Sequence, residues 1–298
     1  MGVKKNMPSF LDTIDPAMLA RIQAMRLMDD DFMTVVFDGD NKATEFLLRI
    51  LLNRDDLRVK KVTTQKEKRN LFGRSVRLDI LAEDTKGKLY NVEVQRADEG
   101  ASPKRVRYNQ AMLDSHILKK KEDFNELPET YIIFITENDY YGLGQPFYKV
   151  RKSIELATTD STYLPFDDGC NIIYVNGKYR GDDALGKLMH DFCTPNADEM
   201  NYSELAEKVR YHKQETEGVR TMCRIVEEYG KEKAAEARAI GLAEGLKRGV
   251  HENAIANAKN ALTLRLSPEQ VSQITTLPLD EVLALKEELE REASVVTN

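Results

Sequence analysis

Two carboxylates, Asp79 and Glu93, lie in the stretch RLDILAEDTKGKLYNVEVQ at a spacing that can do chemistry. Thr85, Lys86 and Gly87 suit a three-residue hairpin loop whose last residue takes a left-handed backbone, which glycine does at no steric cost. That register pairs Asp84 with Lys88, so Asp79 falls opposite Glu93 and Arg77 opposite Gln95. Alternation puts Asn91, Glu93 and Gln95 on the face shared by Arg77 and Asp79. Val76, Leu78, Ile80 and Ala82 share the other face with Tyr90, Val92 and Val94, and this agreement of apolar faces supports the register. Carboxylates directly opposed on paired strands have β-carbons about 5 Å apart. At an effective dielectric near 20 their repulsion is roughly 3 kcal/mol. A cation between them relieves it, and oxygen-only ligation selects a hard ion, Mg2+ or Mn2+. The alternative is an exposed polar hairpin face on which Arg77 neutralises Glu93 diagonally. Read by itself, the hairpin leaves both accounts open.

Other metal chemistries find little support. Cys170, Cys193 and Cys223 are an odd set at wide spacing, and the four histidines do not combine with them at zinc-ligand intervals. Reduced thiols and an oxygen-held metal are expected. The net charge is -6, yet the segment RVKKVTTQKEKRNLFGRSVR at 58–77 carries eight Lys/Arg against one Glu. Lys60, Lys61, Lys66, Lys68, Arg69, Arg74 and Arg77 therefore form a candidate surface for phosphates beside the acidic pair. Further cations follow at Lys104, Arg105 and Arg107 and at Lys119, Lys120 and Lys121.

The elements that must hold these residues follow from periodicity and caps. Asp15-Pro16 starts a short leader helix, and a helix from about Asn41 repeats Ala43, Phe46, Leu47, Ile50 and Leu51 at three and four, with Glu45 near the edge of that face. LRVKKVTT, VRLDILAED and LYNVEVQ read as strands, Ser102-Pro103 opens a helix, and TYIIFIT reads as a strand buried on both faces. YKVRKSIEL and CNIIYV are later strand candidates before a helix near 183–193. The expected organisation is a leader over 1–28, an α/β domain with a mixed sheet over 29–196, and a helical region over 197–298.

The ordered set FMTVVFDGDNKATEFLLRILLN, RLDILAED, LYNVEVQ and KRVRYNQAMLDSHILKKKEDFNELPETYIIFIT resembles the PD-(D/E)XK nuclease family transposases, also called recombination-promoting nucleases, over about residues 29–155. The resemblance implies a restriction-endonuclease-like α/β core, a mixed β-sheet flanked by helices, with Asp79 and Glu93 as metal ligands and the Val94 carbonyl as a third oxygen. It assigns Glu45 to the helical acidic position that completes such sites. Arg107, Tyr108 and Gln110 match a polar cluster that can touch a phosphate or the reacting water. Gln95 stands where the superfamily usually has lysine. Glutamine can orient water but cannot add positive charge, so a cation from Arg77 or Arg107 is the expected substitute. The implied activity is Mg2+-dependent or Mn2+-dependent endonucleolytic hydrolysis of DNA in recombination or transposition. A catalytically silent nucleic-acid-binding or assembly protein is the alternative, and an RNA-cleaving effector shares the chemistry.

Residues 203–265 read as long helix, with Gly241, Gly245 and Gly249 four apart; close packing in a homo-oligomer is one compensation for their helix cost. Ser267 caps a short helix and another begins beside Pro278. The acidic surface of the latter argues against docking in a DNA groove. No apolar run approaches the ~18 residues of a membrane span. The basic start MGVKKNMPSFLD is followed by no apolar run, so a cytoplasmic protein is expected; a bacterial one goes with the family resemblance.

Overall fold

The computed structural model describes residues 10–68, 76–156 and 163–296. The leader carries α1 (Pro16–Ala24), with the Asp15 side chain accepting from the Ala17 N–H as the expected cap. The next apolar run divides into two helices, α2 (Asp30–Phe37) and α3 (Asn41–Leu52). Periodicity anticipated only the second. In α2 the run Phe32, Met33, Val36 and Phe37 is buried nearly all round, which erases the polar stripe that marks a helix.

Then come β1 (Val59–Lys68), β2 (Val76–Asp84), β3 (Leu89–Gln95), α4 (Pro103–Ile117), β4 (Thr130–Thr136), β5 (Phe147–Val150), β6 (Ser153–Glu155), β7 (Tyr163–Pro165), β8 (Cys170–Asn176) and α5 (Ala184–Cys193). Six strands form one sheet in the order β1-β2-β3-β4-β8-β5, and β6 and β7 pair by themselves. The β1–β2 and β2–β3 pairs are antiparallel, β3–β4 and β4–β8 parallel, and β5 returns antiparallel on β8. The sheet is therefore mixed, as expected.

The β2–β3 hairpin has the register read from the sequence. Ile80 faces Val92, Leu81 faces Asn91 and Ala82 faces Tyr90, and Asp84 donates its N–H to the Lys88 carbonyl at 3.0 Å. Gly87 has φ +79°. The Asp84 carboxylate also accepts from the Lys86 and Lys88 N–H groups, closing the loop.

Helices cover the sheet. Against one apolar layer of it, Val106 and Leu113 of α4 pack with Leu78, Ile132, Phe134 and Tyr174. α2 and α3 lie over β1–β3, and α3 also meets α5. The hairpin face that one of the two accounts left exposed is roofed: Asn91 and Glu93 are both 0% exposed.

α6 (Ser203–Gln214) and α7 (Thr216–Thr263) replace the single long helix expected over 203–265, with the break at Glu215. α8 (Pro268–Thr275) has the Ser267 cap, completed by Gln270 as a capping box, and α9 (Leu279–Val296) follows Pro278. The chain divides into two compact units, the first ending at Ile225 and the second starting at Val226, so the first unit runs past the boundary expected at 196. The reason is packing. Lys213 on α6 is buried and donates to the carbonyls of Gln23, Met25 and Pro195, with its ammonium also over the Phe32 ring. The second unit has its own small core of Ala258, Val271, Leu277, Val282 and Leu285.

Candidate active site at the β2–β3 hairpin

Where β2 and β3 stop pairing, a side chain takes over from the backbone ladder. In β3 the odd residues bond to β4: Leu89 donates to the Glu129 carbonyl and the Gln95 carbonyl accepts from Glu137. Strand alternation turns the N–H and carbonyl of the even residues toward β2. Ladder pairs are found there at Tyr90 and Val92, but the Val94 N–H donates at 3.1 Å to the Asp79 carboxylate. The same alternation directs the Val94 carbonyl toward the side of Asp79.

Asp79 is 6% exposed and Glu93 fully buried. One Glu93 oxygen accepts from the Asn91 amide at 3.0 Å. The other, Oε2, has no hydrogen-bond donor, and neither has the Asn91 Oδ1 beside it. Among the described residues the cation beside it is the Arg105 guanidinium, 3.7 Å from Glu93 Oε2 and hydrogen-bonded at 3.3 Å to Gln95 Oε1. Burial raises Asp79 well above the usual carboxylate range, and the neighbouring Glu93 and Asp30 push in the same direction. Burial likewise lifts Glu93 to about 7, against the lowering pull of Asn91 and Arg105. An acceptor with no protein donor, buried among like charges, is the condition a bound cation relieves. The donor set is all oxygen and fits a hard divalent ion. Among the described residues no group of three His, Cys, Asp or Glu side chains converges as a ready cage. A metal held here would take Asp79, Glu93 and a main-chain oxygen, with water completing the shell.

Of two further residues at this site, sequence reasoning did not name Asp30 and named Arg105 only as one of a group of cations. Asp30, in the first turn of α2, contributes negative potential to both carboxylates. Its helix start is held by ion pairs: Arg96, just after β3, bonds Asp29 at 2.9 Å and Glu137 at 3.2 Å, and Arg26 bonds Glu137 at 2.8 Å. Arg105 is the cation beside Gln95, in the role expected of Arg77 or Arg107. The Ser102 cap sets the start of α4, with Ser102 Oγ accepting from the Arg105 N–H. That phase buries Val106 and brings Arg105, beside it, to the strand end. Gly100 completes the fit, because a β-carbon there would collide with the Gln95 side chain.

The remaining residues singled out in the sequence are placed elsewhere. Glu45 accepts from the Val59 N–H at 2.9 Å and pairs with Arg49 and Arg58. Val59 faces Asp84, five residues along β2 from Asp79, or about 17 Å. Gln110 donates to Asp114 and to Thr130 at the start of β4, the end of the sheet away from Gln95. Arg107 is exposed and Tyr108 half-buried on α4. On the edge strand β1, Lys61 is exposed and Lys60 bonds Glu83 at 2.8 Å. Lys68 is half-buried, and Arg77 is exposed with Glu67 opposite it. Arg69 and Arg74 lie outside the described residues, as does the side chain of Lys66. The account in which Glu93 sits on an exposed face neutralised by Arg77 does not survive, since Glu93 is buried and its cation is Arg105.

The order of strands, the buried Asp and Glu on adjacent strands and the polar helix behind them point to one architecture. Residues 37–178 match the family described as PD-(D/E)XK nuclease family transposase. No curated protein and no solved structure matches the chain. The matched stretch takes in α3, α4 and every strand of the mixed sheet, and a helical C-terminal region follows it. The matched residues include Asp79, Glu93, Gln95 and Arg105; Asp30 precedes them. Among the described residues no helix is long and apolar enough to cross a membrane.

Proposed function

We propose that the protein is a Mg2+-dependent or Mn2+-dependent endonuclease that hydrolyses DNA phosphodiesters, and that Asp79 and Glu93 are its metal ligands. The observation that carries this reading is the buried Asp79–Glu93 pair with Glu93 Oε2 left without a donor. A divalent ion, when bound, supplies charge neutralisation at the scissile phosphate and activation of water. The chain's own residues supply the rest. Val94 N–H and the Asn91 amide fix the two carboxylates, so little reorganisation is needed as charge develops. Arg105 offers fixed positive charge to a phosphate oxygen and holds the Gln95 amide, whose free N–H groups can orient the attacking water. The exposed cations Lys61, Arg77 and Arg107 would bind flanking phosphates in a salt-sensitive, sequence-blind way. Cutting both strands of a duplex asks for two such centres, which assembly through the helical C-terminal region would bring together.

One observation favours a second reading. Gln95 in place of lysine is what a binding or assembly protein that has lost its chemistry would show. Cleavage of supercoiled plasmid by the purified protein with Mg2+, Mn2+ or EDTA separates the two, with single-stranded RNA as a parallel substrate. Metal-dependent nicking lost in both Asp79→Ala and Glu93→Gln is the expected result. DNA binding without cutting, and cutting gained in Gln95→Lys, would establish the silent protein instead.

A further inference from the structure

α7 runs for 48 residues, and every described side chain from 234 to 250 is exposed. Exposure on all sides is a poor state for this segment. Glycine costs about 1 kcal/mol per helical position relative to alanine. Gly241, Gly245 and Gly249 have nothing within 4 Å of where a β-carbon would stand. Leu242, Leu246 and Val250 are 74%, 69% and 63% exposed. The small core of the second unit does not use them: α8 and α9 pack on Ala258, with Ala254, Ile255, Ala261 and Leu262 around it.

The apolar and small residues have a seam. Ala235, Ala239, Leu242, Leu246, Gly249 and Asn253 are spaced by alternating fours and threes, the interval at which two helices interlock. Along one edge of that seam run Arg238, Gly245 and Glu252, seven residues apart. The charges at the two ends are opposite and the centre has no side chain. That arrangement is complementary to itself when reversed. In an antiparallel pair centred on Gly245, Arg238 of one helix meets Glu252 of the other, and the twofold axis makes the pair twice. Leu246 then lies beside Leu242 of the second copy, again twice, and the facing Gly245 positions let the backbones approach. A parallel pair would put Arg238 level with Arg238 and give neither charge an opposite.

We propose that α7 pairs antiparallel with α7 of a second copy of this chain, in the register centred on Gly245. This deepens the assembly role read for the C-terminal region, and its test reads mass and distance, so a failure of the nuclease reading leaves it untouched. Sedimentation equilibrium of the full-length protein over a concentration series should give twice the 34.0 kDa chain mass. Leu242→Glu with Leu246→Glu should give the monomer, with helical circular dichroism retained. Arg238→Glu should weaken association about tenfold, and adding Glu252→Arg should restore it. Should the leucine pair lose its helix, the charge exchange decides, because both residues are exposed. A spin label at Gly230 should report a separation of about 45 Å across the pair, whereas a parallel pair would hold the labels side by side. A monomer at every concentration, a dimer indifferent to the leucine changes, a swap that fails to rescue, or a short label distance each overturns the proposal. Binding to a different helical protein by a chain that stays monomeric would overturn it as well.

Discussion

Glu93 is an acid whose proton the fold holds more tightly than the unfolded chain does. Its carboxyl lies at about 7 in the folded protein, against about 4.3 when unfolded. The contribution to stability is therefore complete below about pH 4 and declines as pH rises through 7, by on the order of 3 kcal/mol. Urea denaturation of the metal-free protein at pH 5 and pH 8 should show that decline, Glu93→Gln should reduce it to the part that the likewise raised Asp79 carries, and excess Mg2+ or Mn2+ should offset it at pH 8. A curve that keeps its slope in Glu93→Gln would remove this carboxyl as the cause. Arg105 is tested separately: Arg105→Ala should lower the rate of plasmid nicking by about a hundredfold with metal affinity little changed, and Arg105→Lys should recover part of it. The opposition of Asp79 and Glu93 was legible in the sequence because a loop of fixed length and a glycine set the register. Asp30 was not, because nothing local tells which of Asp29, Asp30 and Asp31 turns toward a strand distant in sequence. Glu45 matched the family's helical acidic position, but Arg49 and Arg58 satisfy it where it stands.

Elements, rather than single side chains, decide how well the site is assembled. Gly100, in the short turn before α4, gives the Gln95 side chain its room. Gly100→Ala should therefore displace the amide and lower nicking about tenfold or more, while Gly230→Ala, in open space on α7, should leave nicking unchanged and favour the helix by up to about 1 kcal/mol. Equal behaviour of the two variants would show that Gln95 needs no such clearance. Strands β1 to β4 were readable because each is long, rich in β-branched residues and bounded by turns. β7 has three exposed residues, too few for alternation to register. The run YKVRKSIEL divides into β5 and β6, which belong to different sheets; its unbroken composition hid a change of partner that only tertiary packing sets.

At the scale of the molecule, composition placed the end of the α/β domain at Pro195 and Asn196, where strand formers cease. Charge and helix propensity change there, but packing does not. α6 and the start of α7 bury Leu205, Val209, Val219 and Met222. Composition records what a segment is made of and is silent about what it leans on. Hence a chain ending at Ile225 should melt cooperatively with a midpoint close to that of the whole protein's first transition, whereas one ending at Asn196 should melt many degrees lower or fail to fold, as differential scanning calorimetry would show. Equal midpoints for the two truncations would make the helical segment from 197 to 225 dispensable.

Lys213 gives that expectation a sharper form. Its ammonium gathers carbonyls from residues 23, 25 and 195, so one side chain near the end of α6 acts as the knot between the two margins of the α/β domain. A chain still being made has completed every strand of the sheet long before this residue is added, yet until then those three carbonyls lack the donor that ties them. The leader and the segment after α5 should accordingly stay open to protease in a nascent chain stopped before α6, and close only when α6 has been added.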